Sequence, residues 1–185
     1  MPKIADIQET PNPNAVKFIL REPVSYGTSH SFKSSAEAAD DKLAKSLFSI
    51  GNVESVFYMD KMITVEKDDL TEWDELLPVL AVPIREAESV KGQAAAATAI
   101  GGAIAAAVSD DPRLAEINAI LDERIRPYLA GDGGWLDVLS LDEKTLKIRY
   151  QGACGSCPSS LTGTLMAIEN MIKDEIDPEI EVVAV

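Results

Sequence analysis

From Gly92 to Val108 the chain reads GQAAAATAIGGAIAAAV, with nine alanines, three glycines and no charge. Arg85, Glu86, Glu88 and Lys91 flank it on one side and Asp110, Asp111 and Pro112 on the other. A run of that composition can supply neither half of a packed layer, so it divides the chain. Residues 1–92 carry 16 acidic and 10 basic side chains and residues 110–185 carry 15 and 7, so both halves are acidic. The run is a poor membrane span, because alanine is close to neutral on an insertion scale and only Ile100, Ile104 and Val108 are strongly apolar. Alanine favours helix, whereas each of Gly101 and Gly102 weakens it by about 1 kcal/mol. The expectation is a frayed, partly helical tether over 92–109 that lets domains at 1–91 and 110–185 move independently.

The formal charge is −14 over 185 residues. A chain so acidic repels a phosphate backbone, which argues against nucleic acid as a partner. Two cysteines are too few for a secreted disulfide framework. Met1 to Thr10 has neither a basic region nor an apolar run of the secretory kind. These features read as a cytoplasmic protein with reduced thiols and no membrane association.

In the first segment, Thr10-Pro11-Asn12-Pro13-Asn14 is a turn cluster, after which Val16, Phe18 and Leu20 alternate with Lys17, Ile19 and Arg21 as a strand. A helix is expected from Ser35, capped by Ser34 or Ser35, with Ala39, Leu43, Leu47 and Ile50 on one face before Gly51. Val53–Met59 and Met62–Val65, joined by Asp60-Lys61, form a hairpin. Asp69 or Thr71 then opens a helix bearing Trp73, Leu76, Leu77 and Leu80. His30, the single histidine, reads as an exposed loop residue, and Met59, Met62 and Trp73 as packing residues. Asn12 and Asn14 read as turn residues. Nothing here is catalytic, and the segment reads as a surface for binding another protein.

The second segment opens with Asp110-Asp111-Pro112 ahead of Leu114, Ile117, Leu121 and Ile125, an apolar helical stripe. Pro127 and Gly131-Asp132-Gly133-Gly134 disrupt or close that helix. Trp135–Leu141 and Leu146–Tyr150 follow as strands around an Asp142-Glu143-Lys144 turn. The second strand runs into Gln151-Gly152-Ala153-Cys154-Gly155-Ser156-Cys157-Pro158-Ser159-Ser160, and then Leu161, Leu165, Ile168 and Ile172 mark a helix ending before Pro178. The fold class is therefore α/β (α+β): two small domains, each a small sheet with helices packed on it, joined by the Ala/Gly-rich linker.

Both cysteines thus lie in one strand-to-helix turn. Unpaired N–H groups at a helix start favour thiolate over thiol, and Gly152 and Gly155 let the backbone bend so that both sulfurs can point the same way. Four readings of Cys154 and Cys157 follow. They could be small buried hydrophobes, although Gly, Ser and Pro neighbours at a turn are unusual for that role. They could be half of a structural zinc site, which needs four ligands and so a second chain, since His30 is remote. They could be a thioredoxin-like redox pair. Against this, the preceding strand is amphipathic, and the elements run helix, hairpin, helix, strand rather than strand-helix-strand. Finally, they could ligate an iron-sulfur cluster, which normally takes four thiolates; two copies meeting at their cysteine turns supply them. A cluster in that position suits temporary holding and handover, and it would stabilise the dimer by mass action.

Arg126-Pro127-Tyr128-Leu129-Ala130-Gly131-Asp132-Gly133-Gly134 followed by Gln151 to Ser160 resembles the C-terminal domain of NifU and Nfu-type iron-sulfur scaffold proteins, over about residues 112–185. Thr10 to Asn14 with Lys17-Phe18-Ile19, then Leu47 to Val53 and Ser55-Val56-Phe57, is similar to the Nfu N-terminal domain over about residues 4–90. The resemblance implies that Cys154 and Cys157 hold a cluster, commonly a [4Fe-4S] with [2Fe-2S] as the alternative. The cluster would be bridged in a homodimer and carried from an upstream scaffold to apo iron-sulfur client proteins. It implies an assembly and transfer factor and no turnover of a small substrate. The first domain becomes a client or partner recognition module. Two positions depart from the family. Trp135 stands where an acidic or amide residue is frequent, which would change the surface near the cluster, and Asn52 stands where glycine is usual. A dithiol-disulfide oxidoreductase and a zinc-bridged adaptor dimer are the alternatives.

Overall fold

The structure is a computed structural model describing residues 3–89, 111–153 and 158–185. The tether expected over 92–109 and the cysteine turn at 154–157 lie outside the described residues. The described residues form two α+β units, each with one sheet.

The first unit contains β1 (Ile4–Glu9), β2 (Ala15–Leu20), β3 (His30–Phe32), α1 (Lys42–Phe48), β4 (Val53–Met59), β5 (Met62–Lys67) and α2 (Trp73–Glu86). Its five strands lie in the order β1-β2-β5-β4-β3, antiparallel throughout. Strand alternation sends Val16, Phe18, Leu20, Val56, Tyr58, Ile63 and Val65 to one face, where they pack against Leu47 of α1 and Leu76, Leu80 and Ile84 of α2. The β4–β5 hairpin turns at Asp60, whose φ is 50°. Asn52 also has a left-handed backbone, with φ 60°, directly after Gly51 at φ 84°. That conformation suits glycine, and asparagine is one of the few other residues that tolerate it.

Three details differ from the sequence expectation. The two edge strands β1 and β3 add to the expected strand-helix-strand-strand-helix order. β1 is exposed over all but its first residue, so it has no apolar alternation to read. The helix expected from Ser35 starts only at Lys42. Ahead of it the chain turns, with Glu37 Oε2 accepting from Lys33 N at 2.7 Å and Ser34 Oγ accepting from Glu37 N at 3.3 Å. Such local side-chain bonds compete with helix. Asp41 is the cap, accepting from Ala44 N at 2.8 Å, and Tyr58 Oη donates to its other oxygen at 2.5 Å. Likewise α2 starts at Trp73 without a side-chain cap, because Asp68 spends its carboxylate on the N–H groups of Leu70 and Thr71.

The second unit contains α3 (Pro112–Arg124), α4 (Arg126–Gly131), β6 (Gly134–Asp142), β7 (Thr145–Gly152), α5 (Pro158–Glu175) and β8 (Glu181–Ala184). Asp111 caps α3 by accepting from Arg113 N at 3.0 Å. Pro127 does not end the helical run but sits in the first turn of α4, where its missing N–H costs nothing. The sheet order is β6-β7-β8. Leu136, Leu146, Ile148 and Tyr150 face Ile117, Leu121, Ile168 and Ile172. β7 and β8 are parallel, so β7-α5-β8 is a strand-helix-strand crossover. The expectation that no such unit surrounds the cysteine turn is thereby corrected. The four residues of β8 pair beside β7, which a linear order of elements does not reveal.

Candidate functional site

Cys154 and Cys157 lie outside the described residues, but the residues that enter and leave their turn are described. β7 ends at Gly152 and α5 begins at Pro158, the residue after Cys157. Gly152 has φ 67° and faces Gly134 across the β6–β7 ladder. A Cβ on Gly152 would lie 2.5 Å from the carbonyl oxygen of Gly133 and 3.0 Å from Gly134 Cα, so only glycine fits. The next residue, Ala153, is buried and its N–H donates to that same Gly133 carbonyl at 3.2 Å. Gly133 itself has φ 78°. The Asp132-Gly133-Gly134 turn and the Gln151-Gly152-Ala153 entry are therefore one structure, a close backbone crossing at the mouth of the cysteine turn.

Arg126, at the start of the first motif, ties α3 and α4 to β6 just beyond this crossing. Its side chain is buried; Nε donates to Leu136 O at 3.0 Å, and its two terminal nitrogens donate to Asp122 Oδ1 at 2.5 Å and Asn118 Oδ1 at 3.0 Å. Its guanidinium carbon lies 5.5 Å from the centre of the Trp135 ring, in cation–π range. Sequence reasoning places Arg126 only within a motif and gives it no role of its own. The signal for that role is a basic residue seated between Ile125 and the apolar run of α4, four residues beyond Asp122.

Asp137 and Gln151 are also buried, on the face of β6–β7 that carries no helix. Gln151 Nε2 donates to Asp137 Oδ2, and Arg149 reaches the same oxygen at 3.5 Å. Burial pushes the Asp137 carboxyl above its ordinary range, opposed by the charges of Arg149 and Arg126 and by the Gln151 bond. Among the described residues, Trp135 Nε1, Thr64 Oγ1 and Gln151 Oε1 are buried without a hydrogen-bond partner.

The other residues singled out from the sequence separate clearly. Trp135, expected to alter the surface, is instead 5% exposed and clusters with Phe57, Met59, Met62 and Ala130. Met59 and Met62 do pack, but against the second unit rather than the helices of their own. The two units thus touch, and Lys17 Nζ donates to Ala130 O and Gly131 O at 3.2 and 2.6 Å. His30 is not a loop residue; it lies in β3, half-buried, stacked on Tyr58 with centroids 4.6 Å apart. Asn12 accepts from Asn14 N at 3.0 Å as a turn residue, and its amide donates to Glu66 at 2.9 Å. Trp73 packs on the first core and donates to Pro13 O at 3.0 Å. No helix among the described residues is long and apolar enough to cross a membrane, and none of their His, Cys, Asp or Glu side chains form a metal-holding group of three.

Residues 4–89 match the family described as "Scaffold protein Nfu/NifU N terminal", and residues 117–183 match the "NifU-like domain". The chain is 35% identical over 176 residues to a Drosophila willistoni protein named "NFU1 iron-sulfur cluster scaffold homolog, mitochondrial", covering 94% of this chain and 60% of that protein. It is 37% identical over 175 residues to "NifU-like protein 5, mitochondrial" of Arabidopsis thaliana, covering 89% of this chain and 62% of that one. The Homo sapiens "NFU1 iron-sulfur cluster scaffold homolog, mitochondrial" is 35% identical over 185 residues, at 94% and 68% coverage. The chain spans less than two thirds of the length of the first two relatives.

Proposed function

Because the chain belongs to the Nfu/NifU family of scaffold proteins, we propose that it is an iron-sulfur cluster carrier whose cargo is held by Cys154 and Cys157. The cargo is a [4Fe-4S] cluster, with [2Fe-2S] as the alternative, bound by two thiolates from each of two subunits. It is received from an upstream scaffold and passed to apo iron-sulfur client proteins, with no turnover of a small substrate. The functional division is a partner-recognition domain over 1–91, a linker over 92–109 and a cluster domain over 110–185. The two family matches, at 4–89 and 117–183, support these boundaries.

The observation that carries the reading is the crossing of Gly133 and Gly152. It joins the two motifs of the second unit just ahead of the C-x-x-C sequence, which is followed at Pro158 by an 18-residue helix. Backbone N–H groups there favour the thiolates a cluster requires. A pair of thiolates on a short connection can exchange its cargo ligand by ligand, which suits handover. The relatives' names place them in mitochondria, whereas composition reads as cytoplasmic; what the two share is a compartment that keeps thiols reduced.

The oxidoreductase reading is kept because of the β7-α5-β8 crossover, a strand-helix-strand unit with C-x-x-C just ahead of its helix. Anaerobic reconstitution with iron and sulfide separates the readings, using visible absorption, Mössbauer spectra and light-scattering mass. The carrier yields a monomeric or weakly associated apo protein and a dimeric holo protein with about four iron per two chains. Absence of a cluster, together with a dithiol that cycles against a disulfide substrate, would overturn it in favour of the oxidoreductase. Retention of zinc in a dimer that refuses iron would assign the adaptor.

A further inference from the structure

An antiparallel sheet with helices on one side normally leaves its other side wet. The first sheet does not. Lys17, Thr64, Phe57 and Met59 point away from α1 and α2 and yet are only 5, 2, 1 and 6% exposed. The register sets Lys17 beside Thr64, Thr64 beside Phe57 and Met59 beside Met62, so these residues form one continuous patch across β2, β5 and β4.

The second unit covers that patch, and does so at the crossing described above. Trp135 is packed by Phe57, Met59 and Met62. Phe57 Cδ1 lies 3.0 Å from the point where a Gly152 Cβ would stand, and Thr64 Oγ1 lies 3.1 Å from the corresponding point at Gly133. The Lys17 ammonium donates to the carbonyls of Ala130 and Gly131, at the C-terminal end of α4, where backbone carbonyls attract a cation. A single face of the first unit therefore touches the end of α4, the Gly133 turn and the Gly152 entry together.

We propose that the helix-free face of the first sheet is a positioning surface for the cysteine turn: Lys17, Phe57 and Thr64 hold the Gly133–Gly152 crossing in place, with Trp135 as the anchor that seats it. Release of this face loosens the crossing and thereby changes the reactivity of Cys154 and Cys157, the first of which follows Gly152 by two residues. Lys17 is a positioning residue, acting through the Ala130 and Gly131 carbonyls. The consequence for cargo rests on the carrier reading, whereas the docking and its effect on the free thiols do not.

The test uses the full-length apo protein with reduced thiols in a Trp73→Phe background, which leaves Trp135 as the sole tryptophan. Trp135 emission and quenching report docking, and iodoacetamide alkylation reports the cysteines. Lys17→Met is expected to red-shift the emission and to change the alkylation rate by up to about ten- to a hundredfold, the range for losing charge-assisted hydrogen bonds. Lys17→Arg, which keeps a cation at the carbonyls, restores both. Met62→Lys, at the half-buried rim of the patch, gives the same pair of changes and decides the matter if Lys17→Met fails to fold. Water-exposed Trp135 in the parent, or release of Trp135 with no change in alkylation, would overturn the proposal. If alkylation responds as expected but no variant or parent ever takes up a cluster, the positioning surface stands and the carrier reading falls.

Discussion

Replacing Gly152 with alanine puts a methyl group where the fold has no room for one. The added Cβ would stand 2.5 Å from the Gly133 carbonyl oxygen, with Gly134 Cα and Phe57 Cδ1 each at 3.0 Å. Two of the three neighbours are backbone and cannot rotate away. The φ of 67° adds a second penalty. A left-handed backbone costs a non-glycine residue about 1–2 kcal/mol, and overpacking a tight site costs about 1–3 kcal/mol, for a total of about 2–5 kcal/mol. A unit of this size has a stability near the low end of about 5–15 kcal/mol, so the loss is a large share of it. At about 4–8 °C per kcal/mol, the melting midpoint should fall by about 8–40 °C. Circular dichroism melts of the reduced apo protein measure this directly. Gly131→Ala and Gly163→Ala are the controls, since a Cβ at either position meets nothing within 4 Å. In the interior of α5, Gly163→Ala should stabilise by about 0.5–1 kcal/mol. A Gly152→Ala protein that melts with the parent while the controls behave as stated would refute the tight crossing, and with it the link between the two motifs.

Arg126→Met removes a buried cation from Asp122, Asn118 and Leu136 O. It should destabilise by about 3 kcal/mol, the low end for breaking a buried pair because Asp122 is partly solvated, read as a lower urea midpoint at unchanged slope. For Asp137, the raised carboxyl pKa means that the folded chain holds a proton which the unfolded chain has already released. Stability contributed by Asp137 therefore falls as pH rises from the ordinary carboxylate value through the raised one. Asp137→Asn should be at least as stable as the parent near neutral pH, with the difference shrinking on acidification; a variant less stable near neutral pH would mean that Arg149 and Arg126 outweigh burial. Asp41→Ala should cost about 1 kcal/mol through the lost α1 cap. It should also lower the Tyr58 hydroxyl pKa, which burial first and the Asp41 bond second hold far above its ordinary value, as followed by spectrophotometric titration.

Elements with a strong period and a chemical terminus were legible. β2, the β4–β5 hairpin and α3 follow alternation, a tight turn and an Asp-Pro start, and each forms where the pattern puts it. The late start of α1 was hidden because Ser34, Glu37 and Asp41 all carry capping side chains; three-dimensional context selects Asp41, through Tyr58. β1 and β3 were hidden because an edge strand with most of its residues in water needs no apolar rhythm. Around the candidate site, the motif order was plain from sequence, but the reason for it was not. Gly133 and Gly152 are nineteen positions apart, and only the β6–β7 pairing brings the carbonyl of one under the missing side chain of the other.

The contact between the two units did leave a trace in the sequence, though one that reads as something else. Val56-Phe57-Tyr58-Met59 is a continuous apolar run, and such a run in an antiparallel sheet means burial on both faces. Val56 and Tyr58 go to the helices, while Phe57 and Met59 require a second covering layer. Taken alone, those residues are indistinguishable from ordinary packing residues of a single core. Trp135 is the complementary trace, an aromatic at the turn where its own core, built from Leu136, Ile148 and Tyr150, lies on the opposite face of the strand. Lys17 completes the pair, as a cation in a patch that has lost its water and that meets carbonyls rather than carboxylates. Two apolar surfaces on different units, each in excess of what its own core can use, together account for one another. The charge-free stretch between the units then joins two faces that fit, and the independence expected of a tether does not follow from its composition.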